Sequence, residues 1–320
     1  MKNMQLTAGK LGKKRISSRL KNEIQHHGPL YLLSLPGIIA LILFGYMPMF
    51  GLVIVFKAYN FRDGIFGSPW VGFKNFEFFF SDIETAWRAT SNTIILNTLY
   101  IVLGTIFSVA IAIMLNEVRS KIFRRVSQSV ILLPYLISWV ALGSIMFMFL
   151  NTNGLVNDYL KILGISPVAW YMEPKYWKPI LVLSHIWKNT GYSSIIYFAA
   201  LTGFDPSFYE AATIDGASRL QKITKITIPL LKPTIVIMFL LSIGKILNGD
   251  LGMMMALTNL NPLLLPSTDI IETYVYRSAI RNGQFEMASA VALYQSVFGF
   301  LLILITNKIV SKIDNDLRLF

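Results

Sequence analysis

The amino-acid sequence predicts an all-α protein, a polytopic transmembrane helical bundle of about six spans, and three observations carry that expectation. The chain is 54% hydrophobic and only 14% charged over 320 residues, too apolar for an ordinary soluble domain of that length. Its apolar residues gather into blocks of roughly 20, the length a helix needs to cross a hydrocarbon core about 30 Å thick. Short basic clusters stand between those blocks, so the net charge of +12 reads as membrane topology and no nucleic-acid partner is expected.

A basic tail over 1–29 opens the chain, with Lys10, Lys13, Lys14, Arg15, Arg19 and Lys21. It imitates the charged region of a signal peptide, but the apolar run behind it is too long and no small-residue cleavage site follows, so a retained first span is expected. A membrane domain over 30–310 and a short tail over 311–320 complete the organisation. The spans are Leu30–Phe56, Thr93–Leu115, Ser129–Leu150, Ile180–Leu201, Thr234–Leu257 and Ala288–Val310. Pro36, Pro48, Pro134, Gly191 and Gly244 interrupt or abut them, and membrane helices tolerate such residues where neighbours satisfy the freed backbone groups.

With the N-terminus inside, the inner side collects the tail, then Arg119, Lys121, Arg124 and Arg125, then Arg219, Lys222, Lys225 and Lys232, and last Lys308, Lys312 and Arg318. The outer side is sparser in cations, so the positive-inside rule places both termini in the cytoplasm. Outer segments carry Trp70, Trp87, Trp170, Tyr171, Tyr176 and Trp177, which suits either an aromatic belt at the headgroups or a docking surface for an external partner. There is no cysteine, which excludes disulfides, thiolate metal sites and a cysteine nucleophile.

The segment Gly203–Pro233 between the fourth and fifth spans is longer than a simple connection requires. Asp205 can cap a helix with Pro206 at its first position, and Ser207 to Glu210 has capping-box spacing, so a helix is expected to start here. Gly216 ends it, a second short helix covers Ser218–Ile226, and Pro229 and Pro233 lead into the fifth span. Small Ala211, Ala212 and Ala217 with rim charges Glu210 and Asp215 suit a surface offered to another protein, or a hairpin that packs on its own spans.

Glu210-Ala211-Ala212, three residues, Gly216, nine residues, Ile226, one residue and Ile228-Pro229 resembles the EAA motif of binding-protein-dependent ABC importer permeases, with Ile228 replacing the usual leucine. Asp215-Gly216-Ala217 is the form common among carbohydrate permeases. Ser68 to Phe76, Leu133-Pro134 with Ser138-Trp139, and Gly283-Gln284-Phe285 extend the likeness to the LplB-type branch, which imports complex oligosaccharides and is similar to the maltose permease subunit MalF without its extra N-terminal spans. The resemblance implies the type I importer permease fold, with Glu210, Ala211, Ala212, Asp215, Gly216 and Ala217 forming the coupling helix against an ATPase. It further implies a second homologous permease subunit, two cytoplasmic ATPase subunits, an extracytoplasmic sugar-binding protein and an oligosaccharide substrate.

No G-x-x-x-x-G-K-S/T phosphate loop occurs, so ATP and Mg are expected on the partner ATPase, with no cofactor and no catalytic residue here. Polar side chains inside spans are costly and mark functional candidates: Lys188, Asn189 and Tyr192 in the fourth span, Lys245, Asn248 and Asp250 in the fifth. Lys188, Asn189, Tyr192, Asn248 and Asp250 fall where the resemblance implies a sugar site. Lys188 and Asp250 can instead form a buried ion pair, or relay protons in an ion-coupled sugar carrier, the competing function. Asn248 and Asp250, two apart, share a cavity only if the helix unwinds near Gly249. His185 reads as a packing residue, and Glu286, Tyr294 and Gln295 can seal a pathway or meet the other permease half.

Overall fold

The computed structural model describes residues 27–281 and 283–313. The basic tail up to His26 and the end of the chain with Arg318 lie outside the described residues. The described residues fall into two compact units that divide between Trp70 and Val71. Among the described residues every regular element is helical, and the one strand-like feature is an isolated bridge between Lys57 and Trp70.

In the first unit a single long helix, α1 (His27–Phe56), has the length and apolarity of a span. Its last ten residues, Met47–Phe56, tighten to 3-10 geometry with Pro48 near their start, a position where a missing N–H costs little. The following loop folds on Lys57, whose Nζ donates to Phe66 O at 2.7 Å and lies 5.1 Å from the Trp70 ring.

The second unit is a bundle of α2 (Lys74–Ser81), α3 (Ile83–Glu117), α4 (Lys121–Leu136), α5 (Trp139–Leu150), α6 (Leu155–Ile162), α7 (Trp177–Thr202), α8 (Ser207–Ile214), α9 (Arg219–Ile243), α10 (Leu251–Thr258), α11 (Ile271–Tyr276) and α12 (Phe285–Ile313). Among the described residues five helices are both long and apolar enough to cross a membrane: α1, α3, the stretch Trp139–Ile162, α9 and α12. The sixth expected span is α7, whose 26 residues suffice in length at about 1.5 Å per residue but whose interior carries Lys188, Asn189, Thr190, Ser193 and Ser194.

Two expected spans are broken helices. Ser129–Leu150 is interrupted at Ile137 and Ser138, both extended, after Pro134 in the last turn of α4; Ser138 then caps α5 by accepting from Ala141 N. Thr234–Leu257 stops at Ile243 and resumes at Leu251, with Asp250 as the cap of α10. The second helix expected over Ser218–Ile226 is no separate piece. It opens with a Ser218–Gln221 capping box and runs through a π-turn, Ile223–Thr227, into α9, so Pro229 and Pro233 lie within one continuous helix.

Close approach fixes the packing. A Cβ at Gly191 on α7 would collide with the Ile131 carbonyl of α4, and one at Gly143 on α5 with the Ala256 carbonyl of α10. Small residues at such crossings allow the backbone contact that drives helix association in lipid. Much of the expected aromatic belt is instead the core of one loop. Trp177 is fully buried and donates to Trp170 O at 2.7 Å, Trp170 donates to Asn157 Oδ1 at 3.2 Å, and Tyr171 packs on Trp177. Trp70 and Trp87 remain exposed.

Fully buried Asp269 receives Arg88 at 3.1 Å, Arg277 at 2.7 Å and the Thr273 hydroxyl at 2.8 Å, which ties the loop before α11 to the start of α3. Removing one member of a buried charge cluster strands the rest. Asp269→Ala is therefore expected to cost about 3–5 kcal/mol, read as a lowered thermal midpoint of the purified protein; an unchanged midpoint would contradict that role.

Candidate functional site

Breaking a helix inside a bilayer frees carbonyls that no water can satisfy, and each must find a side-chain donor. Lys188, buried on α7, donates its Nζ to Pro134 O at 3.3 Å, to Tyr135 O at 2.8 Å and to Ile137 O, closing the end of α4. Asn97 on α3 does the same for the second break, donating to Ile246 O at 2.8 Å and Asn248 O at 3.0 Å. Gln295 on α12 donates to Leu247 O at 2.5 Å and to Glu272 Oε1 at 2.9 Å.

The breaks are joined to each other. Trp139, first residue of α5, donates its indole N–H to Asp250 Oδ2 at 2.6 Å, while Asp250 Oδ1 accepts from Met253 N at 2.8 Å. The Lys188 ammonium lies 5.2 Å from the Trp139 ring. Lys188 and Asp250 are thus coupled through an aromatic ring rather than by the direct ion pair the sequence allowed.

A cavity of about 270 Å³ opens beside the second break, lined from α3 by Asn97, Tyr100 and Thr105, from α7 by His185 and Asn189, and from the break by Lys245 and Asn248, among others. Of the five residues expected to meet sugar, the structure brings Asn189 and Asn248 together here. Lys188 and Asp250 lie among the carbonyls and caps described above, and the Tyr192 ring stacks on Tyr135 at 4.4 Å, away from the lining. Unwinding at Gly244–Gly249 is what admits Asn248.

Sequence reading missed Asn97, Tyr100, Thr105 and Ser108 on α3 and assigned His185 to packing. His185 does stack on Tyr100, at 3.9 Å between ring centres, yet both line the cavity. Tyr100 OH, His185 Nδ1 and Thr190 Oγ1 are buried there without a hydrogen-bond partner, a set of polar atoms that a hydroxylated guest would satisfy. A signal was available: Asn97, Tyr100, Gly104, Thr105 and Ser108 form a polar and small stripe of helical period along an otherwise apolar span.

Helices α7 and α9 both leave the cavity for the same end of the bundle, where the α8 hairpin joins them. Asp205 accepts from Ser207 N at 2.9 Å, and that backbone hydrogen bond, with the Ser207 side chain, holds its carboxyl below the usual range. The Ser207–Glu210 capping box does not form, since the cap position is Pro206. At the other end of α8 Gly216 has φ +73°, with Gly216 N bonded to Thr213 O at 3.1 Å and Ala217 N to Ala212 O at 2.9 Å. This Schellman closure requires a left-handed residue at that position, which gives the glycine of the motif a physical reason. Glu210, Ala211 and Asp215 are exposed, Ala212 is buried and Ala217 half-buried. Ile214, at the tip, is 87% exposed, and Phe208 and Leu220 of the same hairpin are exposed as well.

Residues 104–315 match the family model for the binding-protein-dependent transport system inner membrane component. The polygalacturonan/rhamnogalacturonan transport system permease protein YteP of Bacillus subtilis is 35% identical over 95% of this chain and 94% of its own length. Protein LplB of the same organism is 35% identical over 90% of each chain. A chain of a bacterial ABC transporter that imports the acidic polysaccharide alginate superposes with TM-score 0.83 at 33% identity, covering 92% of this chain and 99% of that one.

Replacing Lys188 by Met keeps the bulk but abandons the carbonyls of Pro134, Tyr135 and Ile137. A loss of about 3 kcal/mol is expected from buried groups left without charge-assisted partners, whereas Lys245→Met at the cavity wall should leave stability nearly unchanged; equal thermal midpoints for the two variants would refute this division. The carbonyl-capping side chains, the cavity and the motif-bearing hairpin are features of one architecture, and the chain belongs to the binding-protein-dependent transport system inner membrane component family.

Proposed function

We propose that the chain forms one half of the translocation pathway of an ATP-driven importer for an oligosaccharide or complex glycan, delivered by an external solute-binding protein. It is a sugar-importer permease and a multi-pass membrane protein by its family and by relatives whose own substrates are polysaccharides. The observation that carries the mechanism is the α8 hairpin, a closed turn with exposed Ile214 at its tip, set between two of the helices that line the polar cavity.

In this reading Glu210, Ala211, Ala212, Asp215, Gly216 and Ala217 seat against a cytoplasmic ATPase, within the coupling segment 203–233. Exposed Ile214 supplies the apolar anchor and buried Ala212 lets the hairpin arms close. Closure of two ATPase subunits displaces α8, and α9, unbroken from Arg219 to Ile243, carries the displacement to the cavity wall. Such a device shifts populations only through differential contacts in its two states, so the hairpin interface sets the coupling.

Charge supports the orientation. Arg119, Arg219 and Lys222 line one pocket with Glu117 and Tyr209 at the hairpin end, while at the opposite end Arg88, Arg277, Lys161 and Lys175 are held in ion pairs with Asp269, Asp158 and Glu173. In this reading the Lys/Arg-rich hairpin end faces the cytoplasm, as the positive-inside rule favours. A second, homologous permease completes the pathway, and Asn189 and Asn248 contact the passing sugar. ATP and Mg belong to the ATPase.

Gly216→Val forces a β-branched residue into left-handed backbone, costing about 1–2 kcal/mol and disturbing the tip. ATPase attached on co-purification should fall several-fold, with sugar uptake falling in parallel. Full attachment together with normal uptake would remove the hairpin from the coupling role.

A further inference from the structure

Within the cavity one charge is uncommitted. Lys245 is exposed at its wall, directly beyond the last turn of α9, and among the described residues the lining includes Lys245 and no carboxylate. The acidic groups nearest in sequence are engaged elsewhere: Asp250 with the Trp139 indole and Met253 N, Asp269 with Arg88 and Arg277. The other cation of these spans, Lys188, donates to the backbone carbonyls of the first break and lies against the Trp139 ring.

Around Lys245 the cavity offers hydroxyl, amide and imidazole groups, three of whose polar atoms are buried and unpartnered. Hydroxyls of a saccharide satisfy such groups. They do nothing for an ammonium, which calls for an anion. A lysine placed only to offset the negative end of the α9 dipole would fit the outer surface equally well, whereas this one borders the polar void.

We propose that the cavity selects a carboxylated saccharide, a uronic-acid-bearing oligosaccharide, and that Lys245 receives the uronate carboxylate while Asn189, Asn248 and the unpartnered groups of Tyr100, His185 and Thr190 receive ring hydroxyls. This rests on the importer reading above and adds the chemistry of the cargo. A volume of about 270 Å³ lies just under the range of small-molecule sites, about 300–1,000 Å³, so this half of the pathway accommodates part of an oligosaccharide at a time. Because the contact is a charge pair open to water, it weakens with salt.

The test uses the assembled transporter, with its second permease and ATPase, purified in detergent without binding protein so that only the pathway's own preference is read. Binding of trigalacturonate and of trimannuronate is compared with binding of their methyl esters, which keep every hydroxyl and lose the charge. Wild type should bind at least one acid about tenfold or more tightly than its ester, and the difference should shrink in high salt. Lys245→Gln should erase the preference while ester binding persists, and Lys245→Arg should preserve it. Equal affinity for acid and ester in wild type, or an undiminished preference in Lys245→Gln, overturns the uronate assignment and leaves the sugar importer standing. Failure to bind any of these saccharides likewise overturns the uronate assignment, whereas a complex that holds no ATPase would overturn the importer reading itself.

Discussion

Everything in the second unit depends on satisfying the backbone of two helices broken inside the membrane. A carbonyl without a partner in hydrocarbon costs several kcal/mol, and the breaks expose those of residues 134, 135 and 137 in one place and 246, 247 and 248 in the other. Lys188 closes the first set and Asn97 with Gln295 the second. Trp139 then ties one break to the other through Asp250. Three helices, α3, α7 and α12, are thereby fastened to the interrupted pair, and the gap left beside the second break is the polar cavity.

That arrangement divides the polar residues of the spans into two kinds. Lys188, Asp250, Asn97 and Gln295 are held by backbone and by one another, which suits a frame. Tyr100, His185 and Thr190 point buried atoms into the cavity with nothing to receive them, and Lys245 stands on its wall without a carboxylate in the lining. Frame residues give the permease a fixed wall on which a passing ligand can be read. The α8 hairpin lies at the other end of α7 and α9, so force applied there reaches the same wall along continuous helix.

How much of this was legible in the sequence followed the range of the interaction. Spans showed because burial in lipid demands unbroken apolar blocks, and the hairpin showed because its closure is local, set by Asp205 at one end and Gly216 at the other. The breaks at Ile137 and Gly244–Gly249 did not show as breaks. The apolar pattern runs across them, and the groups that satisfy them come from distant helices. For the same reason Lys188 and Asp250 read as sugar ligands or as an ion pair, since an intramembrane charge announces a need for a partner without naming it. The cavity was half legible: Asn189 and Asn248 were found singly, whereas the stripe Asn97, Tyr100, Thr105 and Ser108 needed reading as a face of α3.

The account stands on the hairpin being a cytoplasmic handle held by an ATPase, and the absence of cysteine from the chain allows a clean measurement. A single cysteine at Ile214, in membranes carrying the whole transporter, should cross-link to the ATPase subunit and stay unreactive toward an impermeant thiol reagent supplied from outside. Labelling from the outer side, or an ATPase that never joins the cross-linked product, would contradict it.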